Sequence, residues 1–249
     1  MTLEHWLNAE LYRLLLVFCR VSAAFMLLPG LGEGQMPARI RIIAGLVVAY
    51  CIAPLAGPAT AAPGVWGSVA AAALEVMTGA FLGTLSRILL SAVQAAGQII
   101  GQSIGISNAF AFGIGMDNSA VLGAAIYVAC LVALFAIDGH HLGLRALADS
   151  YALVGLGQPL PSAAAARSVT EGVEAAFRLS MQLSMPFLLL SVLFNVALAG
   201  INRALPAMPV FMIGAPALLL VGLQLLQVTA PTFVAEVLAA YGPALMAGR

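Results

Sequence analysis

The chain has 249 residues, of which 62% are hydrophobic and only 8% charged, and its mean hydropathy is +1.05. A soluble domain carries roughly a quarter charged residues, because its surface must be wetted, so these numbers exclude a soluble enzyme and indicate an integral membrane protein. The ten acidic residues balance ten basic ones, all arginine; this excludes a phosphate-neutralising nucleic-acid binder and any Walker A or Schiff-base lysine.

Glu4 and Glu10 precede the first arginine, Arg13. A cleavable signal needs a basic stretch ahead of its apolar core, so an uncleaved N-terminus is expected. Residues Leu11 to Leu28 predict a first helix ended by Pro29-Gly30. Glu10 and Arg13 are spaced to pair at i, i+3. Arg20 is a charge at a depth where charges are costly.

Charge-free stretches then locate the apolar segments: 42–74, 88–116, 118–137, 179–202 and 204–235. About 20 apolar residues cross a bilayer core, so each stretch is long enough. The first is interrupted by Pro54, Gly57, Pro58, Pro63 and Gly64. It predicts a helix from about Arg41 to Ala53, a turn, and a second helix from near Trp66, which reads as an interface anchor. Glu75 and Arg87 follow in strongly apolar sequence, too far apart along one helix to pair with each other.

Gly97, Gly101 and Gly105 form G-x-x-x-G-x-x-x-G. Residues four apart share a helix face, so these glycines predict a groove in which another backbone packs closely. Gly101 to Gly105 also fits G-x-S-x-G around Ser103, but a nucleophile elbow needs a strand before it and a paired histidine and acid. The apolar, helical context provides neither. Residues Ile106 to Asn118 predict a kinked or looped stretch exposing Phe110, Phe112, Ile114 and Met116. Such backbone is tolerated at membrane depth only inside protein or along a cavity. Large flexible apolar groups there suit closure of a pore by excluding water.

Asp138-Gly139-His140-His141 precedes Arg145 and Asp149. Three potential ligands are few for a metal centre, so no metal site is expected. The group reads as a polar patch at a helix end, with Asp138 paired to an arginine. Residues 150–174 are richer in turn and charged residues. Ser168-x-x-Glu171 fits a capping box, placing a helix start and an internal boundary near Ser168. Beyond Arg203, Pro206, Pro209, Gly214 and Pro216 interrupt the chain before a cleaner run from Ala217 to Val228. The expectation is an all-α integral membrane protein of about seven or eight broken helices and hairpins. Its expected parts are 1–167 and 168–249, with Arg20, Glu75, Arg87, Asp138 and Arg203 as buried polar positions. No cofactor and no catalytic residue is expected.

An ordered set of residues runs through nearly the whole chain. It comprises Arg20, Phe25, Pro29 and Pro37-x-Arg39-x-Arg41, then Gly97-Gln98-x-x-Gly101, then Asp138-Gly139-His140. It ends with Asn195, Gly200, Arg203-x-x-Pro206 and Phe211-x-Ile213-Gly214-x-Pro216. This set resembles the FliR/SctT family of type III export-gate subunits. The resemblance implies a FliP-like helical part followed by a FliQ-like hairpin, in the bacterial inner membrane and the flagellar basal body. It implies a pore-forming role in passing unfolded export substrates, with FliP-like, FliQ-like and FlhB-like partners and membrane lipid around them. It also places a pore plug on Phe110, Phe112, Ile114 and Met116. A second reading is a secondary transporter with helices broken at mid-depth around Glu75, Arg87 and Asp138; it predicts an inverted internal repeat, which the sequence does not display.

Overall fold

The computed structural model describes residues 3–32, 36–58, 64–106, 118–205 and 210–246. Among these residues the chain is all α, with seven α-helices and one short 3₁₀ turn. The helices are α1 (Leu3–Leu27), α2 (Ala38–Ile52), α3 (Gly64–Ser103), α4 (Asn118–Ala136), α5 (His140–Leu153), α6 (Ser162–Ala204) and α7 (Val210–Met246). The 3₁₀ turn, Ala53–Ala56, follows α2. Among the described residues four helical segments are long and apolar enough to cross a membrane: Ala38–Ala56, Gly64–Ser103, Ser162–Ala204 and Met212–Tyr241. The pair α4 and α5, taken as one bent span, makes a fifth.

The chain divides into two compact units. The first comprises the chain through Leu89, Phe135–Val173 and the segment from Tyr241; the second comprises Leu90–Leu134 and Glu174–Ala240.

In the first unit, α1 is amphipathic. Leu16, Val17, Arg20, Val21, Ala24 and Phe25 are all buried, the spacing of one helical face. The helix ends at Pro29-Gly30, where Gly30 takes a left-handed φ of 81°, as a helix C-terminus commonly requires. Helix α2 packs on α1, and the 3₁₀ turn contacts both α1 and α5. One apolar core results, with Val17, Val21 and Phe25 meeting Ala49, Ile52, Leu147 and Tyr151.

In the second unit, small residues set the contacts. A Cβ built on Gly97 would lie 2.5 Å from the Gly123 Cα, and one on Gly222 would lie 2.4 Å from the Ile104 side chain. Leu198 of α6 fills the space above Gly214 of α7, and Phe187 meets Phe233 edge-on at 6.3 Å between ring centroids. Residue 198 thus meets 214 and residue 187 meets 233, which is an antiparallel helix hairpin.

Two local expectations are corrected. Ser168 does not cap a helix: α6 begins at Ser162, after Pro161, and the Ser168 hydroxyl donates to the Ala164 carbonyl at 3.2 Å. The turn residues Pro159 and Pro161 end the loop earlier than the capping pattern suggested, and alanines 163–166 already favour helix. Gly214 and Pro216 do not break the last segment, because α7 runs through both. Gly214 serves the Leu198 contact instead, and Pro216 sits at an exposed position within the helix. At 1.5 Å per residue, the 43 residues of α6 span about 65 Å, twice the roughly 30 Å hydrocarbon core.

Candidate functional site

The first unit is organised around a buried ion pair. Arg20 of α1 and Glu75 of α3 are both fully buried. The Arg20 Nε donates to Glu75 Oε2 at 2.6 Å, and Nη2 donates to Oε1 at 3.1 Å, a bidentate fork. Nη1 donates to the Ser150 Oγ at 3.0 Å, and Nη2 also reaches the Val154 carbonyl at 3.0 Å. The Ser150 hydroxyl donates in turn to the Leu147 carbonyl at 2.7 Å. Glu75 Oε1 accepts the Gly157 N–H at 2.7 Å. The guanidinium carbon lies 3.9 Å from the centre of the Tyr151 ring, a cation–π contact.

Local sequence explains how such a pair can exist. Two charges out of water are tolerated only when their geometry is good and their remaining hydrogen-bonding groups are satisfied. Arginine suits this role because its planar fork stays charged and matches a carboxylate. The partners come from three places: a helix face on α1, the middle of α3, and the end of α5 with the loop after it. Gly79 and Gly83 let α3 approach α1. A Cβ at Gly79 would lie 2.1 Å from the Arg20 carbonyl oxygen, and one at Gly83 would lie 2.7 Å from the Leu27 Cβ. Gly157 takes a φ of 69° to aim its N–H at Glu75. The arrangement has no solvent-facing group to offer a substrate. Chemically it is a lock joining α1, α3, α5 and the loop.

The remaining sequence-predicted positions scatter. Arg87, Asp138 and Arg203 are exposed on the chain, not buried. Hydropathy reports how apolar the neighbours in sequence are, whereas burial depends on which side of the helix a residue occupies. Among the described residues no arginine pairs with Asp138, whereas Arg20 pairs with Glu75 and Arg13 with Glu10. Gly97 lies against the backbone of Gly123, and Gly101 is buried in α3. A Cβ built on Gly105 would meet nothing within 4 Å among the described residues, and its φ is 79°. It lies just past the end of α3, where a left-handed residue terminates a helix, so its φ gives it a conformational role. Ser103 donates to the Ile99 carbonyl at 2.7 Å within its helix, with no elbow geometry. The plug candidates Phe110, Phe112, Ile114 and Met116 lie outside the described residues.

Sequence reasoning selected Arg20 and Glu75 separately but missed Ser150, Tyr151, Gly79, Gly83 and Gly157. A signal for two of these was present. Gly79-x-x-x-Gly83 begins one turn after Glu75 and is a second small-residue stripe of the kind noticed at Gly97.

The whole chain has clear relatives. It is 31% identical to the flagellar biosynthetic protein FliR of Caulobacter vibrioides, over 88% of this chain and 89% of that one. The FliR of Escherichia coli K12 is 29% identical, over 91% and 85% of the two chains, and that of Bacillus subtilis 28% identical, over 81% and 80%. A family model described as bacterial export proteins, family 1, matches residues 11–242, a range that takes in Arg20, Glu75, Ser150 and Gly157. An all-helical membrane chain matched over almost its full length in this way belongs to the bacterial export proteins, family 1.

Proposed function

We propose that this chain is a structural, pore-forming subunit of the type III flagellar export gate in the bacterial inner membrane, through which unfolded export substrates pass. The relatives named flagellar biosynthetic proteins support the flagellar assignment. One observation carries the subunit role. The most apolar windows of α6 and α7 are only 11% and 17% buried within the chain. Helices this apolar and this uncovered need another apolar phase against them, and α6 is too long for lipid alone to cover. Sibling subunits of the FliP-like, FliQ-like and FlhB-like kinds would supply it.

Residues 168–249 are the FliQ-like hairpin in this reading, and the antiparallel contacts of α6 with α7 support it. Residues 1–167 are the FliP-like part, with the Arg20–Glu75 lock as its internal brace. Phe110, Phe112, Ile114 and Met116 form the plug that closes the pore between export events.

Two experiments test this. Solubilised in mild detergent and purified, the chain is expected to elute in a large hetero-oligomer; a stable monomer that transports a solute in vesicles would end the proposal. Cells carrying Phe110→Ala with Phe112→Ala are expected to leak small ions. Unchanged leakage, with the assembly intact, removes the plug from the account.

A further inference from the structure

Against the sequence-based expectation of no metal centre, we propose that Asp138, His140 and His141 form a binding site for a divalent transition-metal ion, zinc foremost, at the turn that opens α5. One carboxylate oxygen and one nitrogen from each imidazole all lie within 4.8 Å of one another. Ligands held at 2.0–2.2 Å from zinc lie about 3.4 Å apart in a tetrahedral set. Small side-chain rotations therefore bring the three onto one ion. The two rings are not parallel: their centroids are 4.3 Å apart with a 50° tilt, so their ring nitrogens need not point along parallel directions.

Three further features point to a ligand here. The Nδ1 of His140 is shielded from solvent and has no hydrogen-bond partner among the described residues, a condition that costs about 1–3 kcal/mol and that a proton-free bond to a metal would remove. The His140 ring is stacked on Phe135 at 5.0 Å and 13°, which limits its rotation before any ion arrives. Asp138 holds a left-handed φ of 58° and is the non-glycine residue that does so among the described residues. That turn is closed by the His141 N–H donating to the Asp138 carbonyl at 3.0 Å. Asp138 and His141 are exposed, so an ion has an approach.

The donor set names the class of ion. Two imidazoles and one carboxylate suit zinc, nickel or copper, whereas calcium and magnesium want oxygen ligands throughout. Three protein ligands leave a fourth position for water or for a group from a neighbouring molecule. The effect of the ion would be structural. It would fix the first turn of α5, the helix that carries Ser150 and Tyr151 to the Arg20 lock.

The test uses the full chain purified in detergent with whatever subunits accompany it, stripped with a chelator and titrated with Co²⁺, then with Zn²⁺ in competition. One Co²⁺ per chain is expected, with visible ligand-field absorption that Zn²⁺ abolishes. His140→Gln and His141→Gln should each weaken binding by at least about a hundredfold, and Asp138→Asn by about tenfold. His5→Gln, at the only other histidine, should leave it unchanged. His141 is exposed, so His141→Gln decides the matter if His140→Gln does not fold. Absence of one-to-one binding, or binding indifferent to His141→Gln, overturns the site.

Discussion

The two compact units of this chain hold together by different physics. The first is built around a satisfied charge pair: Arg20 and Glu75 recruit Ser150, Val154, Gly157 and the Tyr151 ring into one network. The second has no ion pair among its described residues. It relies on glycines at Gly97, Gly123, Gly214 and Gly222 and on apolar side chains fitted against them. Its long helices leave Leu193, Val196, Met212 and Leu220 more than half exposed. The first unit carries bare apolar positions too, Ile43, Val47 and Tyr50 of α2 among them, but hydrogen bonds fix its interior in one arrangement. The other is specified partly from outside, by whatever covers its apolar flanks.

This contrast breaks most readily at the lock. Glu75→Ala leaves Arg20 buried without its counter-charge, and the loss is expected to be about 3–5 kcal/mol. Thermal unfolding in detergent would register it as failure to accumulate folded protein. Replacing the pair together, Arg20→Met with Glu75→Leu, should recover much of that loss, because apolar groups of similar volume bear no desolvation penalty. If the double variant is no better than Glu75→Ala, the pair is not the organising element.

The glycine contacts come next, and one from each unit sharpens the comparison. Gly79→Ala would push a methyl into the Arg20 carbonyl at 2.1 Å, and Gly97→Ala would push one into the Gly123 Cα at 2.5 Å. Each is expected to cost about 1–3 kcal/mol, since backbone cannot swing aside as a side chain can. Protease sensitivity should rise locally in the unit that carries the change. Gly157→Ala is expected to cost about 1–2 kcal/mol through its left-handed φ alone, and it should loosen the lock without touching a charge.

The smallest intrinsic effect is expected where the second unit is bare. Leu193→Ala with Val196→Ala should change the intrinsic stability of the chain little, within about 0.5 kcal/mol, because both side chains are exposed. The same variant should reduce recovery of partner subunits on co-purification. A large loss of stability with normal assembly would show that these flanks face the chain's own interior.

Much of the fold was legible in the sequence because its signals are local. Charge-free stretches located the apolar helices, and Pro29-Gly30 and the Pro54 to Gly64 cluster marked real interruptions. The signals failed where packing competes with propensity. Pro216 and Gly214 look like breakers but lie within α7, and Ser168 looks like a cap but lies inside α6. Among the charges, Arg87, Asp138 and Arg203 resemble Arg20 and Glu75 in local hydropathy yet are exposed.

Composition and spacing by themselves determined that this chain is a helical membrane protein and roughly where its apolar helices lie, since water and lipid act on each segment independently of the rest. Only the tertiary structure decided that Arg20 meets Glu75 across 55 positions of chain, and that Ser150 and Gly157 complete the pair. No periodicity encodes those meetings. They depend on which faces of distant helices come together, and on glycines that let the backbones approach.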